Sequence, residues 1–313
     1  MEAPPAGAAR LVLGTSRLTD PEAARMVYDE FFASGGRWFD TARVYRSGAS
    51  EQAFGVWLAY NGVREQVRII GKGGHPDVET WRSRVTEGEV LADARESLAA
   101  LGIDRFDHYF LHRDEEDLPS DDLIGSLRAV QGHGLTAGIG VSNWRPGRYA
   151  EALTAEGDLS LSNYFGLAVP GGPPALPGLV SSFDAGTHRA LASRSNPLFA
   201  WSALSAGYFE VLEPSAGLYS THPASILRKQ VVRSLGARAG VPAESIVVRW
   251  LATAAEHLRP VISTTRPGRI GSLMADADDL SLDPLVEELL ASCAVSSTEP
   301  SRRLLLPSVA PAW

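Results

Sequence analysis

The sequence predicts a (β/α)8 barrel. Eight short apolar runs alternate with amphipathic stretches along all 313 residues, the order that builds a parallel sheet. No glycine-rich fingerprint follows the first run. Polar groups of complementary chemistry stand at the C-terminal ends of consecutive runs, where barrel enzymes carry their sites. The strand candidates are Leu11–Gly14, Arg37–Asp40, Val67–Lys72, Phe106–His112, Ala137–Ser142, Leu159–Phe165, Leu198–Ser202 and Pro260–Thr264. An open doubly wound sheet is the alternative. It needs several glycines after strand 1, and Leu13-Gly14-Thr15-Ser16-Arg17 has one.

Helical patterns fill the gaps. Asp20–Ser34 opens with an N-cap aspartate and a proline at the first helical position. Ser50–Tyr60 follows. Thr86–Leu101 has Glu89 three residues after Thr86, a capping-box spacing. Ser120–Gly132, Arg145–Ala155, Asp184–Ser193, Ala224–Ala239, Ala243–Ala255, Pro267–Asp276 and Leu285–Cys293 complete the set. No linker or low-complexity tract breaks the chain, so residues 1–313 read as one barrel. Residues 1–10, rich in alanine and proline, read as a flexible extension without the pattern of a signal peptide. The Pro/Gly-rich stretch Val169–Gly178 reads as a loop over a site.

Composition narrows the class. A net charge of −8 gives no global field for nucleic acid or an anionic membrane. The one cysteine, Cys293, excludes an intrachain disulfide and a multi-cysteine metal site. No apolar run is long enough to span a bilayer, which takes about 18 residues or more. The expectation is a cytoplasmic protein, monomeric or weakly homo-oligomeric.

The lysine usage is the sharpest local signal. The chain has two lysines among 29 basic residues, and one of them, Lys72, ends the strand Val67–Lys72. An amine can shift its pKa and polarise a proton, which a guanidinium practically cannot. Strand 2 ends at Asp40, with Tyr45 five residues on; strand 4 ends at His112; strand 5 ends at Ser142, followed by Asn143. Taken singly, Asp40 also reads as a helix cap, Tyr45 as a loop aromatic and His112 as a core histidine. Together they place an acid, a phenol, an amine and an imidazole on one face. An ammonium beside a phenol stabilises the phenolate. A carboxylate would hold that ammonium, and an imidazole can orient a carbonyl oxygen. This is machinery for adding hydride to C=O. A zinc reading of His112 with Asp114, Glu115 and Glu116 lacks a second histidine at ligand spacing, so no metal is expected.

With these residues in place, the chain resembles the aldo-keto reductase superfamily. The resemblance rests on Phe39-Asp40-Thr41-Ala42 with Tyr45, Gly71-Lys72, Leu111-His112, Gly140-Val141-Ser142-Asn143 and Ser263-Thr264-Thr265-Arg266-Pro267-Gly268-Arg269. It implies a barrel that binds NADPH/NADP+ in an extended pose across the C-terminal face. It implies Tyr45 as general acid, Lys72 and Asp40 as its tuning pair and His112 as the carbonyl-orienting group. Ser142 and Asn143 match nicotinamide contacts. Asn163 stands in for a glutamine usual on strand 6, and Trp201 for a stacking tyrosine on strand 7. Ser202 and Leu204 match backbone contacts to the pyrophosphate. Thr264 and Arg269, with Thr265 and Arg266 beside them, match the 2′-phosphate site. The family's acid–asparagine pair near the adenine falls on Ser272-Leu273, a departure.

Trp81, Arg113 and Trp144 are the candidate substrate-binding residues, with Tyr208 or Phe209 further along. The expected partner is a small carbonyl compound. Two other readings stand beside the reductase: a cofactor-binding regulatory protein like the subunits that accompany potassium channels, and a keto-sugar dehydratase or epimerase using the same site.

Overall fold

The computed structural model describes residues 10–169, 196–210, 219–254 and 257–279. The expected helices Asp184–Ser193 and Leu285–Cys293 and nearly all of the Val169–Gly178 loop and the N-terminal extension lie outside these residues.

Eight parallel strands close into a barrel in chain order. They are β1 (Val12–Gly14), β2 (Trp38–Asp40), β3 (Arg68–Gly73), β4 (Phe106–Leu111), β5 (Thr136–Ser142), β6 (Ser160–Tyr164), β7 (Leu198–Trp201) and β8 (Leu258–Ile262). The helices among the described residues are α1 (Pro21–Ala33), α2 (Ala49–Asn61), α3 (Glu87–Leu101), α4 (Ser120–Gly132), α5 (Pro146–Glu156), α6 (Pro223–Ala239), α7 (Ala243–Ala254) and α8 (Ile270–Asp279).

Local chemistry explains the elements that carry the site. Asp20 Oδ1 accepts the Ala23 amide at 2.8 Å and Pro21 opens α1. Ala24, Val27, Tyr28 and Phe31 are buried, which is helical spacing on one face. Tyr28 and Phe31 meet Phe39 of β2, and Tyr28 also meets Phe54 and Trp57 of α2. This aromatic block fixes β2, and β2 presents Asp40.

Alternation along each strand separates two layers. Val12, Ile70, Phe110, Phe199 and Val261 form a small cluster apart from the larger sheet–helix core. Ile70 and Phe110 precede Lys72 and His112 by two residues, so the apolar plug lies beneath the polar groups of the mouth. Gly140 lets the plug form, since a Cβ there would stand 2.3 Å from the Phe110 ring.

Several boundaries differ from the sequence expectation. The last strand is Leu258–Ile262, not Pro260–Thr264, and Thr264 sits in the following loop. Pro260 is inside the strand, paired with Ala200, so its ring did not mark a start. The last described helix begins at Ile270, not Pro267. Glu30 of α1 accepts the Gly268 and Gly271 amides at 2.8 Å each and fixes Pro267 and Gly268 as a loop. At α3 Thr86 Oγ1 donates to Glu89 at 2.7 Å and the Thr86 backbone also bonds the Glu89 carboxylate, while the Thr86 side chain makes no cap bond of its own.

Candidate active site

The C-terminal face opens into a cavity of about 1070 Å³. Its walls include Asp40, Tyr45, Lys72 and His112, the four residues expected to carry chemistry. Lys72 and Asp40 form a buried ion pair, each side chain under 5% exposed. Lys72 Nζ also reaches the Thr41 carbonyl at 3.3 Å and Tyr45 Oη at 3.4 Å. Tyr45 Oη lies 3.5 Å from Asp40 Oδ1. The Tyr45 and His112 rings meet edge to face at 5.8 Å between centroids.

Tyr45 rides on a short strained turn. Arg46 and Ser47 have φ of 51° and 53°, and Gly48 has φ of 89°. A left-handed backbone at non-glycine residues persists only where the surroundings over-determine it. Arg43 supplies part of that: its amide donates to the Lys72 carbonyl at 3.0 Å, and its guanidinium binds Glu96 at 2.9 Å and faces Glu51 at 3.7 Å. A Cβ on Gly48 would stand 2.0 Å from Arg43 Nη1. Asn143, Ser202 and Ala206, also left-handed, line the same cavity.

The electrostatics set protonation states. Burial alone would drive the Lys72 ammonium down, but Asp40 and Tyr45 outweigh it and hold the amine above its ordinary value. Burial lifts the Tyr45 phenol above its ordinary value; Lys72 pulls it down and Asp40 pushes it up. The sequence argument counted only the ammonium, so it expected a lowered phenol. Burial also drives His112 well below the usual imidazole range, with Lys72, His75 and Arg113 adding to it. At neutral pH the site therefore presents a protonated phenol, a neutral imidazole and a charged amine.

The expected cofactor residues divide. Ser142, Asn143, Trp201, Ser202, Leu204, Thr264, Thr265, Arg266 and Arg269 all line the cavity. Asn143 Nδ2 donates to the His112 carbonyl at 2.9 Å and to Ser142 Oγ at 3.0 Å, while its buried Oδ1 has no partner among the described residues. Asn163 does not line the cavity. It is fully buried and its Nδ2 donates to the Trp144 carbonyl at 2.7 Å, so it braces the β5–α5 turn behind Asn143.

Of the expected substrate residues, Arg113 lines the cavity and the two tryptophans do not. Trp144 is fully buried in the core, with the Arg148 guanidinium 4.9 Å from its ring. An indole after a strand end reads alike as platform or as packing, and here it packs. Trp81 is 48% exposed on the β3–α3 loop, its ring 6.3 Å from that of His75. Tyr208 and Phe209 are buried against each other.

Sequence reasoning missed three groups. Glu244 and Glu210 line the cavity near β8; in sequence Glu244 is only an acid in the first turn of a helix. His75 packs edge-on against His112 at 5.0 Å, and its place just after Gly73-Gly74 could have drawn attention. Among the described residues there is no group of side chains able to hold a metal, and no helix is long and apolar enough to cross a membrane.

Comparison with known proteins bears on this geometry. The family model described as the aldo/keto reductase family matches residues 6–284. The 6-dehydroglucose reductase of Agrobacterium fabrum is 24% identical over 287 residues, 88% of this chain and 90% of the relative. An aldo-keto reductase of Schizosaccharomyces pombe, named with NADP(+), is 30% identical over 39% of this chain and 36% of its own length. A solved structure assigned as a 2,5-diketo-D-gluconic acid reductase B superposes with a TM-score of 0.70 at 20% identity, covering 97% of this chain and 93% of its own. At that identity it speaks for the fold alone.

Proposed function

The chain belongs to the aldo/keto reductase family, and from that premise we propose that it reduces an aldehyde or ketone to an alcohol with NADPH, Tyr45 donating the proton. The observation that carries this reading is the contact set Asp40–Lys72–Tyr45–His112 at the wall of one large cavity.

The residues fit a nicotinamide dinucleotide. The orphaned, buried Asn143 Oδ1 suits a carboxamide N–H. Trp201, half-buried on the cavity wall, offers a flat π-face. Thr264, Arg266 and Arg269 offer a hydroxyl and two guanidiniums for phosphate. When bound, the reduced nicotinamide supplies the hydride.

The protein's own groups do the rest. His112, held neutral, donates a hydrogen bond to the carbonyl oxygen and turns it toward Tyr45. Tyr45 Oη delivers its proton to that oxygen as charge develops there. Lys72 stabilises the phenolate left behind, and Asp40 keeps Lys72 charged and in place. Arg113 at the cavity wall contacts polar substituents of the substrate. The reading includes a cytoplasmic, monomeric or weakly associating protein, checked by fractionation and size-exclusion chromatography.

The test follows the absorbance of NADPH with a panel of activated aldehydes and keto-sugars. The expected outcome is carbonyl-dependent loss of absorbance with alcohol as product. A dinucleotide that binds but is never oxidised by any carbonyl would overturn the reading and favour a cofactor-binding regulatory protein.

A further inference from the structure

The β8 side of the cavity sets two carboxylates, Glu210 and Glu244, beside Arg266 and Arg269, where the proposed reading places a phosphate. Glu244, at the first turn of α7, is 2% exposed and lines the cavity. Its Oε2 pairs with Arg269, while its buried Oε1 has no hydrogen-bond partner among the described residues. Glu210, also on the wall, accepts the Glu244 amide at 2.9 Å. Glu30 takes the Gly268 and Gly271 amides, the backbone donors around a helix start that would suit an anion. Thr264 Oγ1 accepts the Arg266 amide at 3.0 Å. One of the two guanidiniums, that of Arg269, and the Gly268 and Gly271 amides are thus already engaged by this chain's own acids.

An acid at this place in a dinucleotide site has a defined chemical preference. Carboxylates accept hydrogen bonds from a free ribose 2′-hydroxyl, and arginines accommodate a 2′-phosphate. Here both types are present and bound to each other. We propose that Glu244 is a specificity-determining residue: its carboxylate favours a free ribose 2′-hydroxyl and opposes a 2′-phosphate, so the enzyme accepts NADH alongside NADPH. This deepens the proposed function and rests on its reading of the cavity as a dinucleotide site.

The geometry explains why one side chain suffices. Glu244 lines the cavity, and its Oε1 is a buried acceptor with no hydrogen-bond partner among the described residues. A dianionic phosphate drawn to Arg269 must come close to the same carboxylate, and like charges juxtaposed at a binding surface are strongly unfavourable. If Glu244 instead served to aim Arg269 at the phosphate, removing its charge would weaken NADPH. The two roles predict opposite signs.

The experiment titrates NADPH and NADH into wild type and Glu244→Gln, read by tryptophan fluorescence and calorimetry without any substrate. Wild type should bind the two within about tenfold of each other, and Glu244→Gln should tighten NADPH by about tenfold or more with NADH unchanged or weaker. Unchanged or weakened NADPH binding in the variant overturns the inference while leaving the reductase reading intact. Failure of wild type to bind either dinucleotide overturns both. Should the variant not fold, competition of 2′,5′-ADP against ADP on wild type decides. Comparable displacement supports the inference, and a preference for 2′,5′-ADP beyond about tenfold overturns it.

Discussion

The two sides of the barrel mouth are wired in opposite ways. On the β2–β4 side, one carboxylate and one ammonium neutralise each other and leave Tyr45 and His112 to act. On the β8 side, Glu244, Glu210 and Glu30 occupy the Arg269 guanidinium and three backbone amides that could otherwise serve an anion. The first arrangement is complete in itself, with its protonation states set by burial and by Asp40–Lys72. The second is a balance that a ligand must disturb. In the proposed reading, chemistry at the carbonyl depends on groups at and just beyond strand ends, whereas choice of cofactor depends on loop and helix-start groups already paired within this chain.

Breaking the first side should have the largest effect. Tyr45→Phe should lower kcat by about 10²–10⁴, the range of a lost general acid, with dinucleotide affinity unchanged by fluorescence titration. A smaller change would take the proton donor away from Tyr45. Asp40→Asn leaves the Lys72 ammonium buried and unpaired, so urea unfolding should show a loss of about 3–5 kcal/mol, together with a fall in kcat.

Glu51 sharpens the contrast from below. It is fully buried behind Lys72 and Arg43, and burial raises its pKa from 4.5 to about 7, with the Ser97 hydroxyl and Arg43 opposing and Asp93 adding. A carboxyl whose folded pKa is raised favours folding while it is protonated. That stability is fully present below 4.5 and is lost as pH rises through about 7. Glu51→Gln should therefore gain about 3 kcal/mol over wild type above pH 7 and nothing near pH 4. Paired chemical denaturation at the two pH values checks it. The smallest effect belongs to the β8 side: Arg269→Ala should weaken NADPH on the order of tenfold more than NADH. Equal losses for the two dinucleotides would place the arginine away from the 2′-position.

The uneven legibility of the two sides follows from chain geometry. Asp40, Lys72 and His112 stand at or just past strand ends, where period-2 alternation fixes which side chains face the mouth, so the strand reading brought them together. The barrel itself was readable from the same alternation. The β8 side is assembled across the chain: Glu30 reaches Gly268 over 238 residues, and Glu244 meets Arg269 from a neighbouring helix. Arg269 belongs to a readable motif, but neither Glu30 nor Glu244 carries a local pattern that points to it. Trp144 failed for another reason, since an indole after a strand end satisfies the apolar pattern of a core equally well. The pKa shift of Tyr45 was argued from Lys72 alone, and its sign came out reversed because burial is invisible in sequence.

Deuterium transfer tests the central claim most directly. Wild type and Tyr45→Phe are each incubated with NADPH carrying deuterium at the reactive C4 position and a reducible aldehyde, and the alcohol is analysed by mass spectrometry. The account predicts label on the former carbonyl carbon with wild type, and little product with Tyr45→Phe despite intact binding. Unlabelled product, or equal labelled product from both proteins, would contradict it.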